Sequence, residues 1–212
     1  SCVLLPPVRA PAAQLRQGAG AAEDVVDARC ESFPFIPPFF ECFFSGGGQF
    51  VEFAATTLIR VDPVGTQEFL AFHAVKGEGA FLNGSLITVS RRASVAEGIL
   101  GFDVGGMDLR ALQAFKLIQA LWPGMQSVRI MGSACLGLAY AAAGRVDIYF
   151  HHTLAPWDVA AGLLLVHEAG GEVMDRHGGP ASLESTGLVA SSPRLLEEFV
   201  RLTRGQEWYT VE

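Results

Sequence analysis

The hydrophobic positions of the chain change their spacing from one segment to the next. β-Branched and aromatic residues are concentrated at 50–61 and again at 68–75, with turn-forming residues between them. This composition is typical of two strands joined in a hairpin. Asn83-Gly84, which lies between apolar flanks, predicts a second and tighter hairpin turn. Residues 98–104 predict a further strand, which the following glycines would end.

Helices are predicted after this strand. Apolar residues recur every three positions over 109–121 beside a polar stripe, which indicates an amphipathic helix that Pro123-Gly124 ends. Two later segments, 133–143 and 158–169, are apolar almost all round, and this is typical of helices covered on several sides. The remaining predicted elements are strands at 126–131, 146–150, 172–175 and 187–190, and a last helix at 193–203.

The first fifty residues follow a different pattern. Residues 33–48 are rich in Phe and Pro, have no helical period and contain three prolines that oppose a central strand. We therefore expect an irregular, packed segment there. The alternation of strands with buried helices further along predicts an α/β fold in which helices cover sheets. We divide it into a shortened N-terminal sheet and helix region, 1–97, and a C-terminal α/β region, 98–212.

Composition narrows the class of protein. The chain has 212 residues, of which 50% are hydrophobic and 17% charged, so it is not a disordered protein. Its formal net charge of −7 disfavours nucleic acid and anionic membrane as partners. No apolar run is long enough to span a bilayer, and the four cysteines have the spacing of neither a zinc site nor a disulfide framework. We expect a soluble protein of the cytoplasm or of an organelle.

Two helix starts are candidates for chemistry. Asp158 stands at a predicted helix N-terminus, where it can cap the helix or offer a rigidly held carboxylate to a hard cation such as Mg²⁺. Gly132-Ser133-Ala134 follows a predicted strand and opens the helix at 133–143. Backbone N–H groups there can bind a phosphate or a polar ligand oxygen, although an ordinary Ser cap has the same pattern.

Three stretches of sequence together resemble the inositol monophosphatase family of magnesium-dependent phosphatases. They are GAFLNG with its trailing ITVS, RIMGSACLGLAYAAAGRVDIYF, and APWDVAAGLLLVHEAGGEVMDRHG, followed near the end by LVASSPRLLEEF. The resemblance covers about residues 68–204. It implies a layered α-β-α-β-α sandwich, here with a shortened N-terminal part. It also implies hydrolysis of small phosphomonoesters, such as inositol phosphates or sugar phosphates, with Mg²⁺ as the cofactor.

The same resemblance assigns roles to individual residues. Asp158 is implied to be a metal ligand, and Gly132, Ser133 and Ala134 are implied to line the substrate pocket. The family's main metal motif, Asp-Pro-Ile/Leu-Asp-Gly-Thr, is not intact in this chain. Asp24 and Asp27 have its carboxylate spacing and are our candidates for the remaining ligands, with a solvated acidic turn as the alternative. Asp62-Pro63-Val64-Gly65-Thr66 resembles the motif but is assigned to a later strand boundary.

Two histidines, His151 and His152, precede Trp157 where the family places a substrate-contacting loop. They are either ligand-binding residues or exposed loop residues. No catalytic base is assigned.

Three hypotheses follow for the function. The first is a Mg²⁺-dependent phosphatase whose turnover the degenerate motifs would impair, acting on a small phosphorylated metabolite. The second is a non-catalytic relative that serves as a binding or assembly module. The third is a chain whose Phe-rich segment, 33–44, packs on a partner chain or on a second copy in a homodimer, because large apolar patches are seldom left in water.

Overall fold

The computed structural model describes residues 25–29, 40–45, 54–61, 68–105 and 111–210, with side chains from residue 70 onwards except at Pro123. These residues form two β-sheets and four α-helices. The helices lie between the sheets and on one outer face. This arrangement confirms the predicted α/β sandwich.

The first sheet is a six-stranded antiparallel meander in which strand order follows chain order. Each strand therefore pairs with the next one along the chain, as expected for successive hairpins. Its strands are β1 (Val25–Arg29), β2 (Phe40–Ser45), β3 (Ala54–Val61), β4 (Glu68–Val75), β5 (Gly79–Leu82) and β6 (Ser85–Ile87).

The hairpin between β5 and β6 confirms the turn predicted at Asn83-Gly84. Leu82 pairs with Ser85, so the loop has two residues, and both have positive φ angles, 50° at Asn83 and 80° at Gly84. This is the geometry of the tight turn that Asn-Gly favours. The Asn83 side chain also accepts a hydrogen bond from the N–H of Ala71 at 2.8 Å, which fixes the turn against β4.

The second sheet has five strands, which are β7 (Ile99–Asp103), β8 (Ser127–Ile130), β9 (Ile148–His151), β10 (Glu172–Asp175) and β11 (Leu188–Ser191). Their order in the sheet is β10-β11-β9-β7-β8. β8, β7 and β9 are parallel neighbours, whereas β9, β11 and β10 pair in antiparallel fashion. The parallel connections require crossovers, which the helices provide.

The four helices cover both faces of this second sheet. They are α1 (Ala111–Leu121), α2 (Ala134–Ala142), α3 (Pro156–Glu168) and α4 (Pro193–Thr203). Tyr149 of β9 faces α2, α3 and the six-stranded sheet, whereas its neighbours Ile148 and Phe150 face α1 and α4. Two apolar cores therefore lie on opposite faces of one sheet, because successive strand residues point to opposite sides.

The described residues account for four of the five predicted layers. From one side to the other these are α1 with α4, the five-stranded sheet, α2 with α3, and the six-stranded sheet. α2 and α3 are buried between two sheets, which explains why their sequences are apolar almost all round. Among the described helices, none is long and apolar enough to cross a membrane.

The prediction of an irregular segment at 33–48 is wrong for its second half. Phe40–Ser45 forms strand β2, paired on both sides with β1 and β3. The prolines that argued against a strand end at Pro38, so none of them interrupts the ladder. Residues 33–39 and 46–48 lie outside the described residues.

The helix that carries Asp158 begins earlier than predicted. It starts at Pro156, two residues before Asp158, and ends at Glu168. A proline is well suited to the first helical position because it has no N–H to leave unsatisfied and its φ is fixed near the helical value. Asp158 therefore lies within the first turn.

Candidate functional site at the starts of two buried helices

Asp158 caps its own helix from inside the first turn. Its Oδ2 accepts a hydrogen bond at 3.0 Å from the N–H of Ala155, the residue just before the helix. The side chain is half-buried. The N-terminal end of a helix carries positive partial charge, so the carboxylate is favourably placed there as an anion. The capping contact that the sequence suggested is present, and it uses one of the two carboxylate oxygens.

The start of α2 has the geometry that a Gly-Ser pair allows. Gly132 has a φ of +72°, which favours glycine, and Ser133 then accepts a hydrogen bond from the N–H of Leu136 at 3.3 Å. Ser133 is therefore a helix cap. Gly132 is exposed, and a Cβ placed on it would meet no atom within 4 Å. The turn before α2 consequently opens onto free space.

The two helix starts lie side by side. The thiol of Cys135, in the first turn of α2, donates a hydrogen bond to the backbone carbonyl of Asp158 at 3.5 Å. Cys135 and Ala161 are both buried and pack together, which continues this contact along the helices. The structure thus brings the segment Gly132-Ser133-Ala134 and Asp158 to the same end of the α2–α3 pair.

Sequence reasoning did not single out Asp103, whose carboxylate accepts several hydrogen bonds near these helix starts. It is the last residue of β7, and only 7% of it is exposed. One carboxylate oxygen accepts hydrogen bonds from the N–H groups of Met131 and Gly132, at 3.1 and 2.7 Å. The other oxygen accepts a hydrogen bond from the hydroxyl of Tyr149 at 2.9 Å. Burial raises the pKa of Asp103, and these donors partly offset the rise.

Tyr149 connects this carboxylate to α2. Its side chain is fully buried, and its pKa is raised well above the usual value by burial first and then by the negative charge of Asp103. Smaller contributions come from Cys135 and Asp158, so the hydroxyl lies within electrostatic reach of both helix starts. The ring packs directly on the backbone of Gly137, where an added Cβ would lie 2.0 Å from a ring carbon.

The two histidines are not exposed loop residues. His151, at the end of β9, is 5% exposed and His152 is 1% exposed. His151 ends the central strand of its sheet and His152 follows it directly, a placement that the local sequence did not indicate. Burial, and next the neighbouring His152, lowers the pKa of His151 to about 3. The Arg176 guanidinium lies 3.2 Å from Nδ1 of His152.

Glu168, in the Glu-Ala-Gly-Gly stretch, joins the two halves of the sandwich. Its carboxylate oxygens accept one hydrogen bond each, both at 2.9 Å, from the N–H groups of Gly77 and Gly79. Gly77 lies in the turn between β4 and β5 of the six-stranded sheet, and Gly79 is the first residue of β5. The last turn of α3 is therefore held to that hairpin, a role that spacing along the chain did not reveal.

The candidate metal ligands from the N-terminal part are placed only in outline. Asp24 lies outside the described residues, and Asp27 lies in β1, opposite Phe43 of β2. Among the residues whose positions are described, no group of three or more His, Cys, Asp and Glu side chains could hold a metal ion. The half-buried carboxylate of Asp158 is of the donor type that Mg²⁺ prefers, so the described part contributes one candidate ligand.

Known proteins resemble the chain over most of its described length. It is 43% identical over 131 residues to the Nus factor SuhB of Pasteurella multocida, an alignment that covers 61% of this chain and 49% of that protein. It is 38% identical over 130 residues to the fructose-1,6-bisphosphatase/inositol-1-monophosphatase of Thermotoga maritima, with 61% and 49% covered. The chain thus spans about half the length of these curated relatives.

Solved structures agree with the sequence comparison. The IMPase of Thermotoga maritima superimposes with a TM-score of 0.65 at 30% identity, covering 77% of this chain and 60% of that one. The extragenic suppressor protein suhB of Bartonella henselae superimposes with a TM-score of 0.68 at 27% identity, covering 80% and 62%. The model of the inositol monophosphatase family matches residues 61–207, which is more than half of the chain. The chain therefore belongs to the inositol monophosphatase family.

Proposed function

We propose that this chain takes part in the Mg²⁺-dependent hydrolysis of small phosphomonoesters of the inositol phosphate or sugar phosphate type. Its family supports this proposal, since relatives of 36–38% identity are named inositol monophosphatase or fructose-1,6-bisphosphatase/inositol-1-monophosphatase. The observation that carries it is the meeting of two helix starts, with the Asp158 carboxylate on one and the open Gly132 turn beside the other. The Asp158 carboxylate suits a metal ion, the positive end of α3 suits the phosphate of an ester, and the open turn at Gly132 leaves room for the uncharged part of that ester.

Within this proposal, the described residues bind and orient. Asp158 is rigidly held by the N–H of Ala155 and supplies a negatively charged oxygen donor. Gly132, Ser133 and Ala134 form the wall of the substrate pocket on the α2 side. A bound Mg²⁺ would supply neutralisation of the phosphate charge and a water of lowered pKa.

Asp158 alone does not supply enough ligands to bind such an ion tightly. Mg²⁺ that has a single protein carboxylate keeps most of its waters and binds weakly. Asp24 and Asp27 are the residues we propose as the additional ligands. Three carboxylates at one place repel one another, so metal binding would relieve that repulsion and stabilise the fold.

The matched variant Asp158→Asn tests the proposal. Asparagine keeps the oxygen that accepts the Ala155 N–H but lacks the charge that a hard cation requires. We expect the full chain to release phosphate from inositol 1-phosphate with Mg²⁺ and the variant to release none. Stability should fall by no more than about 1 kcal/mol, the size of one charge–dipole interaction at a helix end. Equal turnover by both proteins would show that Asp158 only caps its helix.

Thermal melts with and without Mg²⁺ report on the metal site independently of turnover. A site with a Kd of about 100 μM would stabilise the fold by about 2.7 kcal/mol at about 10 mM Mg²⁺. If Asp27 is a ligand, Asp27→Asn should abolish that shift. A parent chain whose melting temperature does not respond to Mg²⁺ would contradict the three-carboxylate site.

A second candidate function is a non-catalytic binding or assembly module. It is favoured by the 43% identity to a protein named as a Nus factor, and by the degenerate metal motif upstream of β4. The two candidates predict different results in the same assays. A chain that neither turns over inositol 1-phosphate nor is stabilised by Mg²⁺ would favour the module, and the Phe-rich segment 33–44 is then the surface we propose for its partner chain or second copy.

A further inference from the structure

The start of α2 already faces an anion that belongs to the chain itself. The N–H groups of Met131 and Gly132 point at one oxygen of Asp103, at 3.1 and 2.7 Å, and Tyr149 donates to the other oxygen. The groups that bond this carboxyl group are all donors, namely the backbone N–H groups of Met131, Gly132 and Ser133 and the hydroxyl of Tyr149. This is the pattern of an ionised carboxylate. Backbone N–H groups just before a helix are the groups that elsewhere bind a phosphate.

The position of this carboxylate allows its charge to act on a ligand near Gly132. Asp103 is 93% buried, so water screens it little, whereas Gly132 is exposed and has open space in front of it. An anionic ligand group that approached Gly132 would lose the two N–H donors to Asp103 and would meet a like charge directly behind them. A neutral hydroxyl group would meet neither obstacle to the same degree.

We propose that Asp103 is a positioning and specificity-determining residue, which holds the Met131–Gly132 turn and bars a second anionic group of a ligand from the start of α2. The residue acts through the backbone and does not itself touch the ligand. This inference rests on the proposed function and narrows its substrate class. The favoured substrates are phosphomonoesters in which the phosphate to be removed is the only anionic group, and bisphosphates are disfavoured.

A neutral acceptor would hold the same turn at a smaller cost of burial. Burying a carboxylate is unfavourable unless it is well hydrogen-bonded, and an amide oxygen could accept both N–H groups without that cost. Asp103→Asn therefore separates the two roles of the residue. It retains the oxygen that faces Met131 and Gly132 and removes only the charge.

The test uses the full ¹⁵N-labelled chain, with inorganic phosphate as the probe and backbone amide signals as the readout. In the parent, the amide protons of Met131 and Gly132 should resonate downfield, as charge-assisted bonds require, and should not move as phosphate is added. In Asp103→Asn they should shift upfield and then respond to phosphate. Binding at this turn should be about tenfold tighter or more, the factor that about 1.4 kcal/mol of removed repulsion gives.

Asp175→Asn is the matched control. Asp175 also accepts two backbone N–H groups, from His177 and Gly179 at 2.8 and 2.9 Å, but it is the last residue of the edge strand β10. Its substitution should leave phosphate binding at Met131 and Gly132 unchanged. Two results would overturn the inference: phosphate-dependent shifts of these amides in the parent, or identical phosphate titrations in the parent and Asp103→Asn. The measurement does not depend on turnover. A chain that hydrolyses no phosphomonoester would therefore contradict the proposed function without deciding this test.

Discussion

Replacing Gly137 by alanine should disturb the candidate site without touching any residue that faces a ligand. A Cβ at this position of α2 would lie 2.0, 2.2 and 2.5 Å from three carbons of the Tyr149 ring. Real Cβ atoms do not approach so closely, so either α2 must move away from β9 or the ring must turn. The ring is fully buried and its hydroxyl is bonded to Asp103, so neither adjustment is free of cost.

The size of the effect follows from three contributions. Overpacking a buried contact costs about 1–3 kcal/mol. Losing the hydrogen bond from Tyr149 to a carboxylate costs a further 1.5–3 kcal/mol or so. Alanine in place of glycine within a helix returns about 1 kcal/mol. We therefore expect Gly137→Ala to lower the free energy of unfolding by about 3 kcal/mol, or about 6–12 °C in melting temperature for a chain of this size.

Urea unfolding followed by tryptophan fluorescence measures this change, since Trp208 is fully buried in the fold. A double-mutant cycle with Tyr149→Leu identifies its cause. If the clash with the ring is responsible, alanine at 137 should cost at least about 1 kcal/mol less once the ring is gone. A single variant as stable as the parent, or a cycle without coupling, would refute the argument that the ring lies on the helix backbone.

Two further predictions concern His151 and Glu168. Because the pKa of buried His151 is about 3 while the unfolded chain titrates near its usual 6.5, the parent should lose up to about 1.4 kcal/mol of stability per pH unit as pH falls from about 6.5 towards 3. Urea titrations at several pH values should show that His151→Gln loses this part of the pH dependence of stability. An unchanged pH dependence would contradict the lowered pKa of His151. Asp103 contributes with the opposite sign in both proteins, since its pKa is raised. Glu168→Gln leaves one oxygen for two N–H donors and should destabilise the fold by about 1–3 kcal/mol, with faster hydrogen exchange at Gly77 and Gly79. The exposed Glu172→Gln is its control, and exchange equally slow in parent and variant would exclude the tether.

The elements that the sequence predicted well are those whose signals are local. The Asn83-Gly84 turn needs positive φ at two successive residues, and few other dipeptides supply it. The helices at 133–143 and 158–169 were recognisable because continuous apolar sequence of that length must be covered on several sides. The sequence analysis did not predict strand β2 because prolines oppose a central strand. The nearest proline, Pro38, lies before the first residue of the strand, Phe40.

The residues of the candidate site also differ in whether local sequence could predict them. Asp158 and Ser133 are at helix starts, and helix starts are marked by neighbouring residues. Asp103 depends on contacts with residues 28 to 46 positions away, which bring together the ends of two parallel strands and the turn before a helix. No periodicity or spacing encodes such a contact. The burial of His151 has the same origin, because the central place of its strand is a property of the sheet.

The close approach of α2 and α3 has a consequence for how such a site can vary. A Cβ on Gly162 would lie 2.3 Å from a side-chain carbon of Leu138, and one on Gly137 would strike Tyr149. The separation of the two helix starts is therefore set in the interior, by small residues one turn further along each helix. Exposed side chains near the helix starts, such as Trp157, can then be exchanged while the supporting frame keeps its dimensions.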